Sequence, residues 1–167
     1  MRIIVVEDEP IAREGLCALL AAEPAVEVVG AFASADAARR GVRATLPDAM
    51  FVDIEMPGEG GVELVRSIPG ALRPYVVFVT AHENYAANAF DVDAVDYVLK
   101  PIEEKRLAQA VERVRRAIET NARAQAHARL TEVITEAIAG SNHNSVPTGS
   151  RHLTRISARV GERLVVV

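Results

Sequence analysis

Five short runs of branched or aliphatic residues recur along the chain: Arg2–Val6, Val26–Ala31, Ala49–Asp53, Tyr75–Val79 and Val95–Leu99. Each is nearly continuous in apolar character, the pattern of parallel strands buried on both faces. Between them lie stretches with helical periodicity. Pro10 suits a first helical turn and is followed by Ile11, Leu16, Leu19 and Leu20 at helical spacing. Ser34 is placed to cap a helix over Ala35–Thr45, while Gly61–Ser67 and Glu83–Phe90 supply two shorter helices. Strand and helix in alternation, with short connections, predict a doubly wound α/β sandwich.

After the fifth run the character changes. From Glu103 to about Ala139 there is no Gly or Pro, and Leu107, Val111, Val114 and Ile118 form one apolar seam. The seam thins to Ala122 and Ala126, then resumes at Leu130, Ile134 and Ile138. The first half of this helix is expected to cover the sheet and the rest to serve as a connector, with a paired helical stalk as the alternative. Gly140–Ser150 is a linker by composition. Beyond it, Leu153–Val160 and Arg163–Val167 flank Gly161-Glu162 like a hairpin. A lone hairpin is marginal in water, so this end is expected to open a domain whose remainder is missing. The resulting division is a domain over 1–120, a helical extension and linker over 121–150, and an incomplete β-rich module over 151–167.

Composition narrows the function. Half of the 167 residues are apolar and a quarter charged, as in a soluble globular chain. There is no Trp, and three Tyr with four Phe argue against a platform for stacking bases. The single cysteine, Cys17, excludes an internal disulfide and reads as a small core residue of the first helix. The N-terminus reaches charge after six residues, so it lacks a signal-peptide core, and no apolar run is long enough to cross a bilayer. A cytoplasmic setting without membrane contact is expected. Residues 1–122 carry 13 basic and 20 acidic side chains, whereas residues 123–167 carry six arginines and three acids. The acidic head would repel nucleic acid; the basic tail tolerates it. Only two lysines are present, Lys100 and Lys105, so a lysine in a special place stands out.

In an open parallel sheet, ligands bind at the carboxyl ends of the strands, near the point where strand order reverses. The first strand ends in Glu7-Asp8-Glu9, the third in Asp53, the fourth in Thr80 and the fifth in Lys100-Pro101. In the flavodoxin-like order 2-1-3-4-5, the first and third strands are neighbours at the reversal. An acidic pair, an isolated Asp, a hydroxyl and a Lys then share one edge. Carboxylates crowded there cannot all stay ionised without a cation, and all-oxygen ligands suit a hard ion such as Mg²⁺. A carboxylate also serves as a nucleophile toward phosphorus, giving an aspartyl phosphate. Mg²⁺, a Lys cation and a hydroxyl are the groups a transferring phosphoryl needs around its oxygens.

The segments VVEDEP, FVDIEMPGEGG, VVFVTAHENYAANAF and DAVDYVLKP resemble the receiver domain of bacterial two-component response regulators. The resemblance covers residues 1 to about 120. It implies that Asp53 accepts a phosphoryl group from a phosphohistidine on a sensor histidine kinase. It implies that Asp8 and Asp53 hold Mg²⁺ directly, Glu7 through water, and that the backbone carbonyl of Glu55 is a further ligand. By the same matching, Thr80 and Lys100 bind the phosphoryl oxygens, Tyr97 is an aromatic switch, and the bond before Pro101 is cis. Such a protein is a switch rather than an enzyme, catalysing at most its own phosphorylation and slow dephosphorylation. Glu55 and His82 would flank the attack path and bear on the lifetime of the phosphoryl group.

HENYAANAFDVDAVDYVLKP, with the later RISARVGERLVVV, is similar to LytTR-type transcriptional regulators. That resemblance implies a β-rich DNA-binding module, of which only the opening hairpin falls within this chain. DNA is thus a partner expected of the full-length parent and not of this fragment. Phosphorylation is expected to drive homodimerisation through the face of the fourth helix, fifth strand and fifth helix. Asn84, Asn88, Asp91, Asp96, Arg106, Arg113 and Arg116 would supply that face, with ion pairs related by the two-fold axis. Two alternatives are a stand-alone receiver that acts by protein contacts and an aspartyl-phosphate phosphatase. The phosphatase class places its nucleophile after the first strand and adds a cap segment, neither of which is found here.

Overall fold

A computed structural model describes residues 1–81 and 92–141. Within it, β1 (Arg2–Val6), β2 (Glu27–Phe32), β3 (Ala49–Asp53), β4 (Tyr75–Thr80) and β5 (Asp96–Leu99) form one parallel sheet in the order β2-β1-β3-β4-β5. The flavodoxin-like order expected from the sequence is the one observed. Helices α1 (Pro10–Ala21), α2 (Ala35–Thr45) and α3 (Gly61–Ser67) connect the first strands, and a C-terminal helix runs Glu104–Ser141. Glu83–Phe90 and His82 lie outside the described residues, as do the linker beyond Ser141 and the expected hairpin.

The period of two along each strand sorts the core onto two faces. Ile4, Val6, Met50, Val52, Val76 and Phe78 pack with Ala38 and Val42 of α2 and Leu64 and Val65 of α3. Ile3, Val5, Phe51, Val77, Val79 and Val98 pack on the other face with Leu16 and Leu20 of α1 and with Leu107, Val111 and Val114 of the C-terminal helix. Burial on both faces explains the near-continuous apolar runs of β1, β3 and β4. Cys17 is half-buried against the second cluster, and burial pushes its thiol pKa up.

The apolar seam accounts for where the C-terminal helix belongs. Its buried part ends at Val114, with Ile118 packed alongside and the Tyr75 hydroxyl donating to the Ala117 carbonyl at 3.2 Å. Residues 119–126 are exposed, Ala122 and Ala126 included. No described helix is long and apolar enough to cross a membrane.

Local signals set the boundaries. The Ser34 hydroxyl accepts from Ala37 N–H at 3.4 Å, capping α2, and Pro10 occupies the first turn of α1. Asp48 fastens the start of β3 to both neighbours. Its N–H donates to the Arg2 carbonyl at 2.8 Å, its carboxylate accepts the Arg2 N–H at 2.7 Å, and its carbonyl accepts the Tyr75 N–H at 3.0 Å. β2 begins one residue later than its apolar run because Val26 N–H is used in a turn to the Glu23 carbonyl.

Candidate functional site

β1 and β3 are adjacent at the reversal, so their ends bring Glu7 and Asp8 beside Asp53. Carboxylate oxygens from Glu7, Asp8 and Asp53 lie within 4.8 Å of one another. Glu7 and Asp53 are buried, at 2% and 7% exposure, while Asp8 is half-buried. Lys100, from the end of β5, closes the cluster: its Nζ lies 2.6 Å from Asp53 Oδ2 and 2.7 Å from Glu7 Oε2. The other Asp53 oxygen, Oδ1, accepts the Glu55 N–H at 3.1 Å. Thr80, wholly buried, ends β4.

Two shifts describe the electrostatics. Burial, reinforced by the Asp53 charge, holds the Glu7 carboxyl above its ordinary pKa despite the bond from Lys100. Burial alone would lower Lys100, but its bonds to Asp53 and Glu7 outweigh that and hold its pKa up. The ammonium is therefore firmly charged. Against three formal carboxylates it leaves a surplus of negative charge that a divalent cation matches. The donors are all oxygen, with no His or Cys in the cluster, which selects a hard ion such as Mg²⁺.

The backbone around Asp53 is equally specific. Gly61 opens α3, and a Cβ there would come 2.1 Å from the Asp53 carbonyl, so a glycine is required for this approach. Gly58, at φ +85°, turns the loop. The Lys100–Pro101 bond is cis.

Two features went unread in the sequence. Arg13 Nη1 donates to the Glu7 carbonyl at 2.7 Å and the Asp8 carbonyl at 3.1 Å, bracing the acidic loop from α1. A cation near a helix N-terminus opposes the macrodipole, and that oddity was the available signal. Secondly, the charges expected to bridge two copies are joined within one chain. Asp96, 8% exposed, binds both Arg106 and Arg113 of the C-terminal helix. Tyr97 is half-buried against the core on the α2–α3 side. Asn84, Asn88 and Asp91 fall outside the described residues.

The chain is similar to known proteins. A model of the response regulator receiver domain matches residues 3–112. The chain is 45% identical over 115 residues to the transcriptional regulatory protein BtsR of Salmonella typhi, covering 69% of this chain and 48% of that protein. An uncharacterized response regulatory protein of Vibrio vulnificus is 38% identical over 143 residues, 86% of this chain and 59% of its own length. The chain thus spans about half the length of the curated relatives it matches. The response regulatory domain of protein mrkE from Klebsiella pneumoniae aligns with a TM-score of 0.64 at 32% identity, over 72% of this chain and 99% of that one. Sheet order, carboxylate cluster and family match agree over the same hundred residues, and the chain belongs to the response regulator receiver family.

Proposed function

We propose that this chain is the phosphorylation-controlled receiver of a two-component transcriptional regulator, with Asp53 as the phosphoacceptor. The observation that carries the reading is the convergence of Glu7, Asp8 and Asp53 within 4.8 Å, with Lys100 bonded to two of them. A carboxylate oxygen of Asp53 attacks the phosphorus of a sensor kinase phosphohistidine. The new bond joins Asp53 to phosphorus, the phosphorus–nitrogen bond breaks, and the imidazole leaves. Lys100 and the Thr80 hydroxyl bind the phosphoryl oxygens, and the Glu55 amide orients the attacking carboxylate. Glu7, Asp8, Asp53 and the Glu55 carbonyl would hold Mg²⁺, which supplies positive charge to the phosphoryl oxygens.

The output reading is of LytTR type, in the cytoplasm: a DNA-binding module follows, and phosphorylated receivers pair through the face that includes β5 and the C-terminal helix. The similarity to the transcriptional regulatory protein BtsR, the chain's span of about half that protein's length, and the arginine-rich tail support it. Arg116, 75% exposed, is better available to a second copy than Asp96. Intact mass after acetyl phosphate and Mg²⁺ tests the core of the proposal. One added phosphoryl group is expected for wild type and none for Asp53→Asn; an equal increase in that variant would refute the assignment.

A further inference from the structure

β5 is an end strand of four residues, with β4 as its one neighbour among the described residues. Alternate backbone groups of such a strand face its neighbour, and the rest need partners elsewhere. At Tyr97 both groups are met by side chains. Its N–H donates to Asp96 Oδ1 at 2.8 Å, and its carbonyl accepts from Arg106 Nη2. Those two side chains are also joined to each other: Arg106 Nη1 lies 2.8 Å from Asp96 Oδ2, and Nη2 lies 2.7 Å from Oδ1. The ion pair therefore occupies the place of a neighbouring strand at this one residue. Arg113 Nη1 adds a bond to Asp96 Oδ1 at 2.9 Å, with no bond of its own to the Tyr97 backbone given by this geometry.

Arg106 stands in the first turn of its helix, where a cation is disfavoured by the macrodipole. The fork of bonds to Asp96 and to the Tyr97 carbonyl offsets that cost and gives the arginine a reason to be there. A lysine has one charged nitrogen and no planar fork, so it cannot reproduce the arrangement.

We propose that Arg106 and Asp96 are positioning residues for Tyr97, closing the outer edge of β5 and holding the main chain at that residue while its ring changes place. The functional part rests on the reading of Tyr97 as the aromatic switch. In the family scheme the ring is what moves; the clamp assigns the fixed point it moves about. It also predicts that the charges on this face serve the strand within one chain before they serve a second copy.

The test is residue-resolved amide exchange on the full chain, with 3-fluorotyrosine fluorine spectra as the reading of the ring. Arg106→Gln is expected to speed exchange at the Tyr97 amide about tenfold relative to Val98, because the two-pronged hold on Asp96 and the bond to the Tyr97 carbonyl are lost and only the single Arg113 bond to Asp96 remains. Arg106→Lys should fall between Gln and wild type. Arg113→Gln, which leaves both Tyr97 backbone bonds intact, should stay within about twofold of wild type. Equal acceleration at Tyr97 and Val98 in Arg106→Gln, or none at either, overturns the clamp. In wild type, beryllofluoride with Mg²⁺ should shift the Tyr97 fluorine resonance; in Arg106→Gln the resonance should broaden in both forms. A wild-type resonance that ignores beryllofluoride overturns the switch reading alone, and the exchange data still decide the clamp.

Discussion

The Lys100 ammonium sits 2.6 Å from Asp53 Oδ2 and spans to Glu7, so a lysine already occupies part of the field a divalent cation would use. A metal held there would compete with the lysine for the same two carboxylates. Lys100→Gln is therefore expected to tighten Mg²⁺ binding by roughly three- to tenfold, from the Coulomb repulsion it removes. Calorimetric titration of both proteins checks this. Weaker binding in the variant would show that the lysine organises the carboxylates rather than competing with the metal.

Gly61 predicts a stability effect next to Asp53. The 2.1 Å approach to the Asp53 carbonyl leaves no room for a methyl group. Gly61→Ala should cost about 1–3 kcal/mol in urea denaturation, as overpacking does elsewhere. On the proposed function it should also slow labelling by acetyl phosphate, because the strain falls on the Asp53 backbone. A stability equal to wild type would mean that the loop yields without cost.

The Asp96 cluster gives a pH dependence. Burial pushes this carboxyl upward, but the bonds from Arg106 and Tyr97, with the charges of Arg106 and Arg113, hold it below its ordinary 3.8. A lowered folded value means a contribution fully present above 3.8 and lost as pH falls through the folded value. At neutral pH, Asp96→Ala is expected to cost about 3 kcal/mol, mostly from stranding Arg106. The two stability curves should converge in acid below 3.8. A constant gap through that window would assign the loss to packing instead.

The exposed run after Ile118 predicts where the folded unit ends. Residues 119–126 contribute no buried side chain. A chain ending at Thr120 should therefore match the longer one within about 0.5 kcal/mol in urea. Ending before Val114, which is fully buried, should abolish the cooperative transition.

Periodicity and strand ends made much of this legible. The apolar runs of β1, β3 and β4 overlap the strands because burial on both faces demands apolar character along nearly their whole length, and sheet order then places Asp53 beside Glu7. Boundaries moved where hydrogen bonds rather than hydropathy decide. Thr80 belongs to β4, and its carbonyl takes the Lys100 N–H at 2.8 Å. Arg13, Arg106 and Asp96 were harder to read. A charged side chain is by default solvated, and hydropathy cannot say which carbonyl or carboxylate a long arginine will reach. The only local hint for Arg13 and Arg106 is a cation placed near the wrong end of a helix.

Asp48 carries a consequence for signalling. β3 is apolar on both faces along Ala49–Val52, so side-chain burial alone would tolerate sliding the strand by one residue. Such a slide would send the Asp53 side chain to the opposite face of the sheet while leaving the core nearly as oily as before. A polar anchor at the far end, where Asp48 bonds Arg2 and Tyr75, adds a restraint on that register. The position of Asp53 is thus set in part five residues upstream, at the opposite end of β3. On the proposed function, damage at that anchor would cost phosphorylation while every reactive side chain stayed in the sequence.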